Sequence, residues 1–484
     1  MGIVLKQSFN NTLILFLGFA IGGINTLFLY TNFLHENYYG LIVFLLSTAN
    51  IILPLLVFGM QSTVIKFFST YKSREEKDTF LSNTIILPLL IIIPLAIIGS
   101  FTYEYIATWL SKKNILIKEY TYLIFIAAIF MGYFEVFYSW AKVQFQSVFG
   151  NFVKEIFARI SVTLLLFCVY FKLISNEEFI YAVVIVYGVR MLIMAIYAIY
   201  VYKPKLIFNL TKNYKEVLSF STYIIVAGSA GGILLEIDKF MIPQLKEIAE
   251  VAYYSVGIYI ASVVAIPSRA MQHITGPITA KEMNNKNIGE VEKLYKQTSI
   301  NLLVVGGLFF LLINLNISDL YVLINKPQFS KGIWIVLIIS IAKMVELALG
   351  TGNAILVNSK YYKIFFYLSV LMALSVIVLN RILIVEMGIN GAALTTLIVV
   401  FVYSIFKVYY IKSKLKIQPF KKETFKLFLV IVVLFFSFYY WNFAFHPIIN
   451  IGVKSLIISL IYLFIVRRIN ISKDLNLLFK NLIK

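Results

Sequence analysis

The stretch that decides the fold begins GSAGGILLEIDKFMI at residues 228–242, turns through PQLKEIAE at 243–250 and continues VAYYSVGIYIASVVAIPSRAMQHITGP at 251–277. Two apolar runs of roughly twenty residues, joined by a short polar turn, have the length that a bilayer-crossing helix needs. The first run carries Glu236, Asp238 and Lys239 within it. A charge at the centre of a span costs about 2.5–3.5 kcal/mol, so three charges in four residues need a reason. Either they lie near the outer end of the span, where Lys239 reaches water, or Glu236 and Asp238 face a wet internal pathway.

The whole chain repeats the pattern. Of its 484 residues, 60% are hydrophobic and only 14% are charged, with a mean hydropathy of +0.87. A soluble fold of that composition would lack polar surface, and apolar runs of this length read as transmembrane helices. The first run is long and has no small-residue cleavage site, so it is kept as a membrane helix rather than a signal peptide. The single cysteine, Cys168, lies in an apolar run and can form no intramolecular disulfide. A net charge of +20 raises the question of nucleic acid. The lysines are scattered over short loops, however, and no soluble basic domain exists to hold a duplex, so no nucleic-acid partner is expected.

Fourteen spans are predicted: 11–34, 39–60, 80–107, 119–141, 153–174, 179–202, 219–243, 251–275, 297–318, 332–357, 364–385, 391–411, 425–444 and 448–466. Counting loops together with the span residues that border them, 28 of the 43 basic residues fall on the side of the N-terminus and 7 on the other. The positive-inside rule then places both termini in the cytoplasm. No loop is long enough to be a domain. The tail at 467–484 is basic and amphipathic and reads as lying on an anionic leaflet.

Residues 34–77 and 249–293 are alike in arrangement. The first has LHENYYG, a span containing Pro54 and then GMQSTVIKFF; the second has AEVAYYS, a span containing Pro267 and then a Gly-Pro exit. The offset suggests two six-helix halves in the same orientation, a parallel repeat with the substrate site between them, followed by two extra helices. The expected fold is thus an all-α polytopic membrane protein of about fourteen helices. Its expected parts are a six-helix lobe at 1–210, a second at 211–415, two further helices at 416–466 and the tail at 467–484.

The chain resembles the Wzx-type lipid-linked oligosaccharide flippases of the multidrug/oligosaccharidyl-lipid/polysaccharide exporter superfamily. The resemblance rests on the pair Asp238-Lys239, on Val256-Gly257-Ile258-Tyr259-Ile260-Ala261, on Gly276-Pro277, on Tyr39-Gly40 and on Gly59-Met60-Gln61. It implies movement of a polyprenyl-diphosphate-linked oligosaccharide, such as an O-antigen, capsule or exopolysaccharide repeat unit, from the inner to the outer leaflet of a bacterial inner membrane. It further implies alternating access and, as partners, other polysaccharide assembly proteins.

Polar groups inside spans are the candidate site. Arg190 and Lys343 sit near the middle of their spans and Arg159 one to two turns inside one end; in a low-dielectric cavity such cations attract a diphosphate. Their role as headgroup ligands follows the resemblance, by depth and charge type. Arg269, Arg381, Lys407 and Lys454 lie close enough to helix ends to snorkel. Glu346, three residues from Lys343, either neutralises it or shares a cavity with it. Glu135 has no cation within one turn and needs a partner, for which Arg190 and Arg159 are natural candidates. Asn25 reads as packing glue. The acids Glu135, Asp238, Glu346 and Glu236 are also candidates to bind a coupling H⁺ or Na⁺; no other cofactor is expected.

Two alternatives stay within the superfamily: a flippase for the peptidoglycan lipid precursor and an ion-coupled multidrug exporter. Buried bases outnumber buried acids, which argues against cationic drugs. A membrane sugar polymerase or glycosyltransferase would need a long outer loop or outer catalytic acids, and none is seen. His35, His273 and His446 fall in separate segments without metal-ligand spacing, and no phosphate-binding P-loop sequence occurs. No enzyme activity and no metal site are expected.

Overall fold

The computed structural model describes residues 2–471, so most of the basic tail lies outside the described residues. Every regular element among them is helical, in agreement with the expected fold class. The chain divides into two compact units, Met1–Ala252 and Tyr253–Lys484.

In the first unit, α1 (Gly2–Ile24) passes through a π turn, Asn25–Leu29, into α2 (Tyr30–Phe33). Then come α3 (Glu36–Leu56), α4 (Met60–Phe67), α5 (Arg74–Leu110) and α6 (Leu116–Val143). The short α7 (Val148–Phe152) runs through a second π turn, Val153–Phe157, into α8 (Ala158–Tyr170), followed by α9 (Asn176–Val201) and α10 (Tyr214–Leu245). The starts of α5 and α9 are capping boxes, in which Ser73 and Glu76, or Ser175 and Glu178, satisfy each other's backbone N–H groups. Asn176, Glu177 and Glu178 are therefore the first turn of α9, where acidic side chains also suit the helix dipole.

Small residues set the packing. α6 lies against α3, α4 and α9, and α10 lies along α3 and α4. A Cβ on Gly40 would come within 2.0 Å of the Ile248 carbonyl oxygen, and one on Gly132 within 2.4 Å of Val57 Cγ1. Between α3 and α4 the chain turns at Phe58 and Gly59, whose φ is +62°, a conformation that favours glycine. Asn114 ties the α5–α6 turn to the end of α10: its Nδ2 donates to Pro243 O (2.6 Å) and Lys246 O (2.9 Å), and its Oδ1 accepts from the Ile248 N–H (2.9 Å).

α11 (Ala249–Ser262) crosses the boundary between the units, and the second continues with α12 (Ile266–Asn284), α13 (Ile288–Leu315), α14 (Ile317–Ile324) and α15 (Ile333–Ala348). Then come α16 (Gly352–Val357), α17 (Tyr362–Met387), α18 (Ile389–Leu415), α19 (Lys422–Tyr439) and α20 (Pro447–Arg468). α13 is its centre, packed by α12, α15, α19 and α20. The last two helices seat on α13 at Gly307, where a Cβ would meet Ile431 Cδ1 at 2.5 Å and Tyr462 Oη at 2.9 Å. The Tyr462 hydroxyl donates to Val304 O at 2.8 Å. The likeness of residues 34–77 and 249–293 has a structural counterpart: both are helices broken beside a proline, α3–turn–α4 in one and α11, a 3₁₀ turn and α12 in the other.

Among the described residues, ten helices are long and apolar enough to cross a membrane. The four other expected spans also fall on helical segments. The span at 153–174 is divided into the π turn and the 13-residue α8, and that at 332–357 into α15 and α16 across Gly350, with φ +48°. The span at 219–243 lies within α10, and that at 425–444 begins within α19 and passes its end at Tyr439.

Candidate functional site

A charged cluster is built from α6, α8, α9 and the π turn before α8. Glu135 on α6 pairs with Lys154 on that turn, Nζ to Oε1 2.6 Å. Its direct partner is therefore Lys154 rather than Arg190 or Arg159. Sequence spacing alone leaves Lys154 at the edge of a loop, and the π turn brings it into the bundle. Arg159 pairs with Glu155 on the turn leading into its own helix, Nη1 to Oε2 2.6 Å, an i,i+4 contact visible in the sequence spacing. Lys142 holds its ammonium 3.7 Å from the Tyr138 ring centroid and acts electrostatically on Glu135.

Arg190 closes the cluster. It is 6% exposed, with its guanidinium carbon 4.1 Å from the Phe134 ring centroid and 4.8 Å from that of Tyr187. Its Nε has no hydrogen-bond partner, and among the described residues it has no ion pair. Glu135 and Glu155 act on it from a distance. Cation–π contact supplies about 2 kcal/mol when desolvated, less than the several kcal/mol that burying an ion costs. The cluster holds four bases, Lys142, Lys154, Arg159 and Arg190, against two acids, Glu135 and Glu155, leaving two positive charges in excess.

α1 and its π turn form one wall. A Cβ on Gly18 would approach Arg159 Nη1 to 2.5 Å, so a glycine there admits the guanidinium. Asn25 Nδ2 donates to Arg159 O (2.9 Å), and the Thr163 hydroxyl donates to Asn25 Oδ1 (2.7 Å). Asn25 thus fastens two helices together, as a packing residue should.

The remaining candidates lie elsewhere. On α10, Lys239 pairs with Glu236 at 2.8 Å; the partner of Lys239 in this pair is Glu236, not its neighbour Asp238, which is buried. In the second unit Lys343 pairs with Glu346 at 2.9 Å, three residues along one face. Lys407, on the adjoining α18, also acts on Glu346 and lies 5.6 Å from the Phe365 ring centroid. The structure brings Arg190, Arg159 and Glu135 together in one unit and Lys343 with Glu346 in the other. Lys454, expected to snorkel, is instead 2% exposed and donates to Leu315 O at 2.6 Å, a contact that sequence spacing cannot foresee. Sequence reasoning also missed Lys154 and Glu155, for which the spacing Glu155–Arg159 was the available signal.

Residues 5–270 match the family described as "Polysaccharide biosynthesis protein", and the chain belongs to that family. The fold is similar to that of the solved "Lipid II flippase MurJ, inward closed conformation", with a TM-score of 0.74 and 18% identity over 96% of this chain and 99% of that one. It is also similar to an inward-facing multidrug resistance MATE family transporter of the MOP superfamily, with a TM-score of 0.61 and 12% identity over 84% of this chain and 94% of that one. A third likeness is to a MOP superfamily transporter from Pyrococcus furiosus, with a TM-score of 0.55 and 11% identity over 85% and 96% of the two chains. A comparison with curated proteins gives no match. The expectation of an all-helical membrane-transporter fold agrees with these likenesses.

Proposed function

We propose that this protein moves a polyprenyl-diphosphate-linked saccharide from the cytoplasmic to the outer leaflet of a bacterial inner membrane, with both termini in the cytoplasm. The observation that carries the reading is Arg190, buried and, among the described residues, without an ion pair in a cluster with two cations in excess. A diphosphate supplies the missing negative charge and enough acceptor oxygens to satisfy the guanidinium. A cationic drug finds no such complement there. In the second unit Lys343 and Lys407 both interact with Glu346, so among these three side chains positive charge is again in excess. Membership of the polysaccharide biosynthesis family supports a sugar cargo. Likeness in fold to a lipid II flippase supports a lipid carrier. The two six-helix lobes alternate access to the headgroup while the polyprenyl tail stays in the bilayer, and the cycle is driven by H⁺, Na⁺ or the membrane potential.

The test is transbilayer movement of a fluorescent polyprenyl-diphosphate oligosaccharide in proteoliposomes. Movement above empty liposomes, lost in Arg190→Ala with the fold intact, is the expected result. Comparing an oligosaccharide repeat unit with the peptidoglycan precursor on the same carrier separates the two sugar cargoes. No movement of either, with or without an imposed ion gradient, would overturn the reading.

A further inference from the structure

We propose that Glu135 stands in for the substrate's phosphate in the empty protein: it holds Lys154 at the mouth of the cluster and yields it to an entering lipid diphosphate, making Lys154 a further headgroup ligand. The inference rests on reading the cluster as the diphosphate site.

Glu135 is placed where an anion is wanted. It bonds Lys154 at 2.6 Å, and Lys142 and Arg190 also act on it. A phosphate entering among these cations meets a carboxylate already using them, and like charges at close range repel. Lys154 and Glu135 are partly exposed, with side chains 39% and 19% accessible, whereas Arg190 is buried, so an arriving anion meets Lys154 more readily than Arg190.

The backbone under Lys154 suits an exchange of partners. Lys154 and Glu155 both lie in the π turn Val153–Phe157, and each is engaged in the cluster. A π turn replaces i→i+4 bonds by i→i+5 bonds without ending the helix, and such turns recur at functional sites. Reverting to α-helical register would rotate Lys154 away from Glu135 while keeping the helix bonded.

Among the described residues, no other acid forms an ion pair with Lys154. From α9 comes Arg190. α4 brings Lys66, which lies 3.7 Å from the Phe220 ring centroid. α3 carries one acid, Glu36, in its first turn. The charges of α5 sit in its first turns, apart from Glu104, which pairs with Lys118. Glu155 is committed to Arg159.

The test measures binding of farnesyl diphosphate by purified full-length protein, together with transbilayer movement of the lipid-linked oligosaccharide. Glu135→Gln is expected to bind about fivefold tighter, because a partly exposed ion pair of modest strength no longer competes, and to move substrate more slowly because release is slowed. Lys154→Gln is expected to bind about fivefold more weakly. In the Lys154→Gln background, Glu135→Gln should add a smaller gain, since Lys154 is no longer there to release and only the repulsion between carboxylate and phosphate is relieved. Glu135→Asp, which keeps the charge but shortens the reach, should fall between wild type and Glu135→Gln and serves if the latter folds poorly. Failure of the wild type to bind farnesyl diphosphate would overturn both this inference and the proposed function. Binding that is weakened by Arg190→Gln but unchanged or weakened by Glu135→Gln would overturn the stand-in role alone.

Discussion

Lys154 and Glu135 meet at 2.6 Å across two helical elements, and the π turn that carries Lys154 brings it into contact with α6. With Glu135 paired to Lys154 and Glu155 to Arg159, Arg190 and Lys142 are left without an ion pair among the described residues, and Arg190 is the buried one of the two. An unpaired buried cation is costly to the fold and useful to an anionic cargo, so stability and transport should respond to its loss in opposite directions.

Arg190→Met should leave thermal stability unchanged or raise it, because a buried charge without a partner is replaced by an apolar side chain of similar volume. Transport should fall by at least about tenfold, the loss expected when a charge-assisted contact worth roughly 1.5 kcal/mol or more disappears. Thermal unfolding in detergent and the proteoliposome assay, run on the same preparation, check both halves.

Gly40→Ala should be strongly destabilising, since the added Cβ would lie 2.0 Å from the Ile248 carbonyl oxygen, a backbone atom that cannot rotate away. The expected cost is about 3 kcal/mol, the upper part of the overpacking range. Gly99→Ala is the control: nothing lies within 4 Å of its Cβ, so the helical preference for alanine should make it neutral or stabilising by up to about 1 kcal/mol. Melting temperatures of the two variants decide the point.

Lys454→Ala should lower stability more than Lys454→Met. The ammonium donates to Leu315 O at 2.6 Å and to Asn442 Oδ1 at 3.3 Å, inside the contact between α20 and α13. Both variants orphan the carbonyl, at about 1–3 kcal/mol; alanine also opens a cavity, for a further 1–2 kcal/mol or so. Equal melting temperatures for the two would contradict a buried, packed lysine stem.

Lys343→Gln should change stability by less than about 1 kcal/mol, since its pair with Glu346 is partly exposed, with side chains 23% and 43% accessible. Its transport defect should be smaller than that of Arg190→Met, because Lys407 remains beside Glu346. A larger defect than that of Arg190→Met would move the main headgroup contact to the second unit.

The sequence alone was enough for the class of the molecule. Apolar runs long enough to span a bilayer leave helices as the way to satisfy every backbone N–H and C=O within one segment, so the helical architecture follows from composition and run length. The Gly40 and Gly59 positions were legible as motif residues. Their purpose was not, because a close approach to Ile248 or Ser221 is a contact between segments far apart in the chain. Local pairs were equally readable where both partners share one helix face, as Lys343 and Glu346 do.

The partners of the remaining charges were set by the packing of helices. Lys154 reads as lying at the very edge of its predicted span, and a π turn carries it to Glu135; Lys454 reads as free to snorkel, and α13 offers it a carbonyl. An ion pair depends on separations of a few ångströms, and the one-dimensional order of residues specifies those separations only within a helical turn. Beyond that distance the packing of helices chooses the partners, and it is packing that left Arg190 without one.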